Sequence, residues 1–146
     1  MKLGRLLVAL PLVAGLSIAG ATMASAQGVQ AFAALFGGNE TPPNASPGYG
    51  AVALTFHGTG TVCFGIVVDR IGVPNAAHIH PGRAGDANPP AVVLIAPNTG
   101  NPGSSSGCVT LTDTTLFGKI RNSPSDFYVN VHTAAFPNGE IRGQLF

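Results

Sequence analysis

Alternation of apolar and polar residues is the clearest signal in this chain. Apolar side chains occupy every second position of Gly50–His57, and they do so again in Thr61–Val68. Successive side chains of a strand point to opposite faces, so this pattern predicts two strands that are each buried on one side. The turn signal Gly58-Thr59-Gly60 separates them, which predicts that they form a hairpin.

Shorter apolar runs, bounded by Gly, Pro and Asn, predict six further strands. They are Gln30–Phe36, a strand around Ala77–His80, Ala91–Ala96, Cys108–Leu111, Phe127–Thr133 and Glu140–Phe146. Pro97–Gly107 is rich in Gly, Ser and Asn and is expected to be a surface loop. Thr112 or Asp113 is expected to cap one short helix over about Thr114–Asn122. The predicted fold is an all-β, antiparallel sandwich or barrel of seven or eight strands.

The pairing of the last two strands follows from the parity of their side chains. A two-residue turn at Asn138-Gly139 would set a polar face against an apolar one. A loop over Ala135–Gly139 instead pairs His132 with Arg142 and keeps the apolar residues together. Because the hydrophobic pattern specifies register, the longer loop or a bulge is preferred.

The first residues have the pattern of a secretory signal peptide. Lys2 and Arg5 precede an apolar run, and Ala24-Ser25-Ala26 provides a cleavage site. The alternative, a membrane anchor, is disfavoured because the run is short and is interrupted by Pro11. We therefore expect a signal peptide over residues 1–26 and one domain over 27–146. The mature chain is expected to be secreted, extracellular or periplasmic, with no membrane span.

Charge and cysteine content narrow the function classes. The predicted mature chain carries few charges, nearly balanced in sign, and no basic patch, so no nucleic acid partner is expected. The chain has two cysteines, Cys63 and Cys108. An even number of cysteines in a chain that is predicted to be exported favours a disulfide between them. Free thiols or thiolate metal ligands are the alternatives.

Three of the four histidines lie at positions where strand parity turns them away from the core. His78 and His80 flank Ile79 and share one face. His132 follows Val131 and shares a face with Tyr128 and Asn130. The parity argument puts the first pair on one non-core face and His132 on another. A metal site requires the two faces to meet, with the rings about 4–5 Å apart, given metal–nitrogen bonds of about 2.0–2.1 Å.

Four motifs in order resemble the CHRD domain family, which is named after its repeats in chordin. They are Gly38-Asn39-Glu40-Thr41-Pro42-Pro43, Ala77-His78-Ile79-His80, Tyr128-Val129-Asn130-Val131-His132-Thr133 and Gly139-Glu140-Ile141-Arg142-Gly143-Gln144-Leu145. The resemblance implies a β-sandwich or barrel similar to copper/zinc superoxide dismutase, and no established general activity. Dismutation itself is not expected, because that enzyme needs six histidines and an aspartate for its metal cluster, whereas this chain has four histidines in all.

The candidate site therefore has two interpretations. His78, His80 and His132 would hold one copper or zinc ion with an open position, since imidazole suits both metals. Alternatively, they hydrogen-bond to neighbouring groups. Glu40 is interpreted as a ligand, as a partner that orients a histidine ring, or as an ion-pair partner of Arg142. Glu140 and Arg142 are expected to form an exposed ion pair. Tyr128 and Asn130 would line the site or cover the sheet.

Three function classes remain open after these arguments. The first is a secreted binding module with a histidine metal site. The second is an extracellular protein-interaction or matrix module without metal, whose partner the sequence does not name. The third is a metal-dependent enzyme, which is not favoured because no nucleophile motif or paired carboxylates are present. No catalytic residue is assigned. Asn44-Ala45-Ser46 matches a glycosylation signal, and Pro47 after it disfavours modification.

Overall fold

The computed structural model describes residues 29–146, and the predicted signal peptide lies outside these residues. Eight strands and one helix longer than a single turn follow in chain order. They are β1 (Gln30–Phe36), β2 (Tyr49–His57), β3 (Thr61–Asp69), β4 (Pro74–Pro81), β5 (Val92–Leu94), β6 (Gly103–Thr110), α1 (Thr114–Asn122), β7 (Phe127–Thr133) and β8 (Ile141–Gln144). Among the described residues, no helix is long and apolar enough to cross a membrane.

All eight strands belong to one antiparallel sheet in the order β5-β4-β7-β8-β1-β2-β3-β6. The sheet curls until its two edge strands approach each other. Near this edge the Ser105 hydroxyl of β6 donates a hydrogen bond to the carbonyl oxygen of Ile95, just after β5, at 2.7 Å. The nearly closed barrel confirms the predicted fold class.

The apolar alternation seen in the sequence fills the inside of this barrel. β2 and β3 pair as the predicted hairpin, with Phe56 opposite Val62. Their alternate residues Leu54, Val62 and Ile66 are almost fully buried. Removing this apolar surface from water is the main driving force for closing the sheet.

Strand β6 corrects the prediction of a loop over Pro97–Gly107. Gly103–Gly107 is strand, and it pairs with β3 so that Ser104 lies opposite Val67. Ser and Gly have low strand propensity, so composition indicated a loop. The cross-strand partner on β3 overrides that local preference. Conversely, the predicted strand Ala91–Ala96 is shorter in the structure.

The disulfide between Cys63 and Cys108 is confirmed. The two residues lie directly opposite each other on β3 and β6, with Cα atoms 3.9 Å apart. The bond joins an edge strand to its neighbour and closes a loop with a sequence separation of 45 residues. The chain-entropy model assigns a loop of this size about 4 kcal/mol of stabilisation.

Helix α1 spans the residues that the sequence predicted, and its N-cap decides between the two candidates. The Asp113 carboxylate accepts hydrogen bonds from the backbone N–H groups of Thr115 and Leu116, at 2.9 and 3.0 Å. These bonds satisfy amide donors that a helix N-terminus otherwise leaves without partners. Phe117 and Ile120 anchor the helix to the core.

The predicted pairing of β7 with β8 is wrong by two residues. Asn130, not His132, lies opposite Arg142. The longer loop and the parity of the faces were predicted correctly, because a shift of two residues leaves each side chain on its expected face. The loop before Ile141 is therefore longer than expected, and it reaches over the outside of the sheet.

The outer surface of the barrel has two contrasting regions. The covered face is the outer side of β4, β7 and β8, and its side chains are His78, His80, Tyr128, Asn130, His132 and Arg142. Loops before β2, after β4 and after β7 lie over it. The open face is the outer side of β1, β2 and β3, and it includes the exposed side chains Phe32, Phe36, Tyr49 and Val67.

Asn44 fixes one of the loops beside the covered face. Its side-chain amide nitrogen donates hydrogen bonds to the carbonyl oxygens of Gly139 and Glu140, at 3.2 and 3.1 Å. Its side-chain oxygen accepts from the backbone N–H of Ser46. This residue therefore ties the loop before β2 to the loop before β8.

Candidate metal centre

The three candidate histidines lie on neighbouring strands and on a single face. β4 and β7 pair so that His78 is opposite Asn130 and His80 is opposite Tyr128. His132 is two residues along β7 from Asn130, so it is the diagonal neighbour of His78. The expectation of two separate faces is therefore wrong, because pairing makes the outward sides of both strands continuous.

The structure brings these three side chains together. One candidate ligand nitrogen from each of His78, His80 and His132 lies within 4.8 Å of the other two. The ring centroids of His78 and His132 are 4.9 Å apart. The other two centroid distances are longer than expected, at 5.5 Å for His78–His80 and 6.4 Å for His80–His132. His57 is exposed and stays outside this group.

His80 is held with one ring nitrogen directed to a backbone acceptor. Its Nδ1 lies 2.7 Å from the carbonyl oxygen of Asn88, in the loop after β4. A carbonyl only accepts, so Nδ1 carries the proton and Nε2 has a free lone pair. The Nε2 atom is buried and has no hydrogen-bond partner. A buried polar atom without a partner is costly, and a bound ion would remove that cost.

His132 is oriented in the same way by the loop after β7. Its Nδ1 lies 3.0 Å from the carbonyl oxygen of Pro137, and in the tautomer that donates to this oxygen the lone pair is on Nε2. That Nε2 lies 3.0 Å from His78 Nδ1 and 3.0 Å from the side-chain oxygen of Asn130. The Asn130 oxygen only accepts, so it competes with Pro137 for the single N–H of a neutral His132 ring. In the Nδ1–H tautomer, His132 Nε2 accepts from the Nδ1–H of His78.

Electrostatics keep the cluster neutral. Burial, with smaller contributions from the neighbouring His132 and His80, lowers the pKa of His78 to about 4. Burial also lowers the pKa of His80 and that of His132. Neutral imidazole is the form that binds a metal ion, so at neutral pH no bound proton has to be displaced from a doubly protonated ring.

One pair of nitrogens is already close enough to share an ion, whereas a more distant pair would have to move together. With metal–nitrogen bonds of about 2.0–2.1 Å, a separation of 3.0 Å between His78 Nδ1 and His132 Nε2 corresponds to an angle of about 94° at the ion. Two nitrogen ligands of a tetrahedral ion are about 3.4 Å apart. A pair at the 4.8 Å limit would therefore have to approach by about 1.4 Å to bind the same ion.

Tyr128 and Arg142 extend the cluster away from the histidines. The Tyr128 ring is parallel to the His80 ring to within 5°, with centroids 4.8 Å apart. The guanidinium carbon of Arg142 lies 3.3 Å from the centroid of the same Tyr128 ring. β7 lies between β4 and β8, so the two groups approach Tyr128 from opposite sides. The stack restricts the rotation of the His80 ring.

Glu40 is buried beside this stack, and the proposed ion pair with Arg142 is not formed. Within residues 29–146, one ion pair has its charged atoms within 4.0 Å, and it joins Arg83 Nε to Asp126 at 2.8 Å. Glu40 and Arg142 are therefore farther apart than that. Burial raises the pKa of Glu40 to about 7, although the charge of Arg142 and the backbone N–H of Thr41 oppose the rise. Glu40 Oε1 is buried without a hydrogen-bond partner.

The prediction of an exposed ion pair between Glu140 and Arg142 is wrong. Both residues are buried, with 3% and 2% of their surface exposed. Glu140 accepts hydrogen bonds from the hydroxyls of Ser46 and Thr133, at 2.7 and 2.5 Å. Glu140 therefore bonds to β7 and to the loop before β2, whereas Arg142 donates to the loops before β2 and after β4.

A cavity of about 330 Å³ opens beside the histidines. Its lining includes His80 and His132, together with Glu40, Tyr128, Asn130 and Arg142. The open coordination position of an ion at the cluster would be next to this polar space. The backbone carbonyls of Asn88 and Pro137 were missed by sequence reasoning, because the side-chain pattern of a loop does not show where its carbonyls point.

Comparison with known proteins supports the family but adds no solved relative. The family model described as the CHRD domain matches residues 31–145. No curated protein and no solved structure matches the chain.

Proposed function

The chain belongs to the CHRD domain family, and we propose that this member binds a single copper or zinc ion through His78, His80 and His132. It acts as a binding module, with no reaction assigned. Three nitrogen ligands leave one coordination position open in a four-coordinate site.

One observation carries the proposal, namely the orientation of two of the rings by backbone carbonyls. His80 and His132 each donate Nδ1–H to a loop carbonyl and direct Nε2 toward the cluster. Metal-binding histidines commonly have this second hydrogen bond, which fixes the tautomer and the ring orientation. The buried, unpartnered Nε2 of His80 is consistent with a ligand role and is not expected of a purely structural histidine.

Isothermal titration of the metal-free protein with Zn²⁺ and Cu²⁺ tests the proposal. We expect one ion per chain, and at least a hundredfold weaker binding after His80→Ala, since a ligand is removed. His57→Ala is the matched control because His57 is exposed and bonds to Thr55. It should bind as the unsubstituted chain does. Equal affinities for both variants, or no saturable binding by the unsubstituted chain, would contradict the proposal.

The pH dependence of binding provides a second readout. Free imidazole has a pKa of about 6.5, and protonation removes the lone pair that binds metal. Because burial lowers the pKa of all three histidines, the pH at which binding is half lost should lie below that of a solvent-exposed histidine pair. Titrations between pH 7.5 and 4.5 measure this value.

We also propose that the chain is exported and that its first 26 residues are removed. The disulfide and the family support this, since disulfides persist in oxidising compartments. N-terminal sequencing of the protein recovered outside the cytoplasm tests the cleavage near Ala26. A mature protein that begins at Met1 would contradict it.

The second candidate is an extracellular interaction module without metal. The open face favours it, because Phe36, Tyr49 and Val67 expose apolar surface. Contiguous exposed apolar patches mark interaction sites in many soluble proteins. A module without metal would bind no stoichiometric Zn²⁺ or Cu²⁺, and His80→Ala would then not change the titration. The titration described above therefore separates the two candidates.

A further inference from the structure

Arg142 is a buried charge without a charged partner. Only 2% of its surface is exposed, and no carboxylate of residues 29–146 lies within 4.0 Å of its nitrogens. Burying a charge is costly unless it is paired or fully hydrogen-bonded. The Tyr128 ring offsets part of this cost through a cation–π contact.

The hydrogen bonds of Arg142 leave two donors unused. Its Nη1 donates to the carbonyl oxygen of Asp86 at 2.5 Å and to the hydroxyl of Thr41 at 3.3 Å, and its Nη2 donates to the carbonyl oxygen of Arg83 at 2.9 Å. A guanidinium has five N–H donors. The Nε–H and one Nη2–H therefore remain, and these nitrogens share one edge of the planar group.

Two cavities meet at this residue. One is the cavity of about 330 Å³ beside the histidines, and the other, of about 410 Å³, extends along the loop before β2. Glu40, Thr41 and Arg142 line both of them. The Thr41 hydroxyl accepts from Arg142 and keeps its own hydrogen for another acceptor. These cavities are large enough for a molecule of a few heavy atoms.

We propose that this double cavity binds a small monoanionic carboxylate, which accepts two parallel hydrogen bonds from Nε and Nη2 of Arg142. A planar carboxylate matches the planar edge of a guanidinium, which a spherical ion does not. A single uncompensated cation favours a monoanion over a phosphate dianion. Glu40 lines the same wall, and in its protonated form it donates a hydrogen bond to the ligand instead of repelling it.

This inference does not depend on the metal proposal. Arg142 lies across the Tyr128 ring from His80, and its unused donors are present in the metal-free protein. The test is therefore carried out with metal removed, so that a chain that fails to bind copper or zinc can still bind the carboxylate.

Acetate is the probe, and ¹H–¹⁵N NMR of the metal-free protein is the readout. We expect the Arg142 Nε–H resonance to move saturably on addition of millimolar acetate, whereas acetamide, which has the same shape without the charge, should leave it in place. Arg142→Lys keeps the charge but loses the two-point geometry, and we expect it to weaken acetate binding about tenfold. Arg121→Gln is the control, because Arg121 is exposed on α1, and it should bind acetate normally.

The outcome does not depend on whether Arg142→Lys folds, because the Nε–H shift is measured in the unsubstituted protein. A resonance that does not respond to acetate, or that responds equally to acetamide, would overturn the inference. So would equal acetate affinities for Arg142→Lys and the unsubstituted chain.

Discussion

The covered face and the open face belong to different strands on the outer side of one sheet, and they reverse the usual relation between polarity and burial. On the covered side His80, Asn130 and Arg142 are buried although they are polar. On the open face Phe36 and Val67 are apolar, yet 48% and 55% of their surfaces are exposed. Residue type on the outer side of this sheet therefore does not determine burial. The loops that cross it do.

The two faces are stabilised by different interactions. Loop carbonyls and hydroxyls satisfy most of the polar groups of the covered face, so their removal from water is offset by hydrogen bonds. The open face has no such requirement, because apolar side chains leave no donors or acceptors without partners. Sequence changes should therefore be costly on the covered side and tolerated on the open face.

The largest contrast is expected between two carboxylates that each accept a hydrogen bond from a hydroxyl. Glu140→Ala should lower the free energy of unfolding by about 3 kcal/mol, since the buried Thr133 hydroxyl loses its acceptor and a cavity forms. Asp69→Ala removes the solvent-exposed partner of Tyr49 on the open face and should change little. Urea denaturation of both variants measures the difference. Equal losses would show that burial does not determine how much each carboxylate contributes to stability.

A smaller effect is expected at Glu40, and its sign depends on pH. The folded-state pKa of about 7 lies above the ordinary value of 4.5 for this side chain, so the folded chain binds more protons between these values. Stability from this group is complete below about pH 4.5 and is lost as the pH rises through 7. Glu40→Gln mimics the protonated acid, and it should be more stable than the unsubstituted chain at pH 8 by on the order of 1 kcal/mol. At pH 4.5 the two should unfold alike.

The measurement for Glu40 is the denaturant midpoint of both proteins from pH 4.5 to 8.5. An advantage of Glu40→Gln that does not vary with pH would show that the carboxyl does not titrate in this window.

The smallest effect is expected on the open face itself. Val67→Thr adds a hydroxyl that stays in water, so the free energy of unfolding should change by no more than about 0.5 kcal/mol. Val131→Thr is the matched control inside the barrel, where the added hydroxyl is buried and should cost about 2 kcal/mol. Thermal unfolding of the two variants ranks them. A large loss for Val67→Thr would mean that the open face is covered in the native protein.

Most of the fold follows from alternation, because a barrel interior demands apolar residues at every second position. β1 and α1 have the predicted bounds, and the β2–β3 hairpin forms as expected. β6 was missed in part because its inward positions include Gly103 and Gly107, which carry no apolar signal. Its pairing with β3 is a tertiary effect that composition does not record.

For the candidate site, strand parity predicts the direction in which each side chain points, and it predicts nothing more. The motifs indicated that His78, His80 and His132 point away from the core, but not that β4 and β7 are neighbours in the sheet. The burial of Arg142 was missed for the same reason. Whether a side chain on an outer face is buried depends on loops whose path no local pattern specifies.

Asn44 has a consequence for biosynthesis. Both hydrogens of its side-chain amide are used once the loop before β8 is in place, and its oxygen lies close to Gly37. A sugar attached to that nitrogen leaves one hydrogen, so a glycosylated Asn44 cannot make both bonds. In a host that glycosylates exported chains, folding and modification therefore compete for the same amide group. Each molecule that folds first is closed to the glycosylating enzyme.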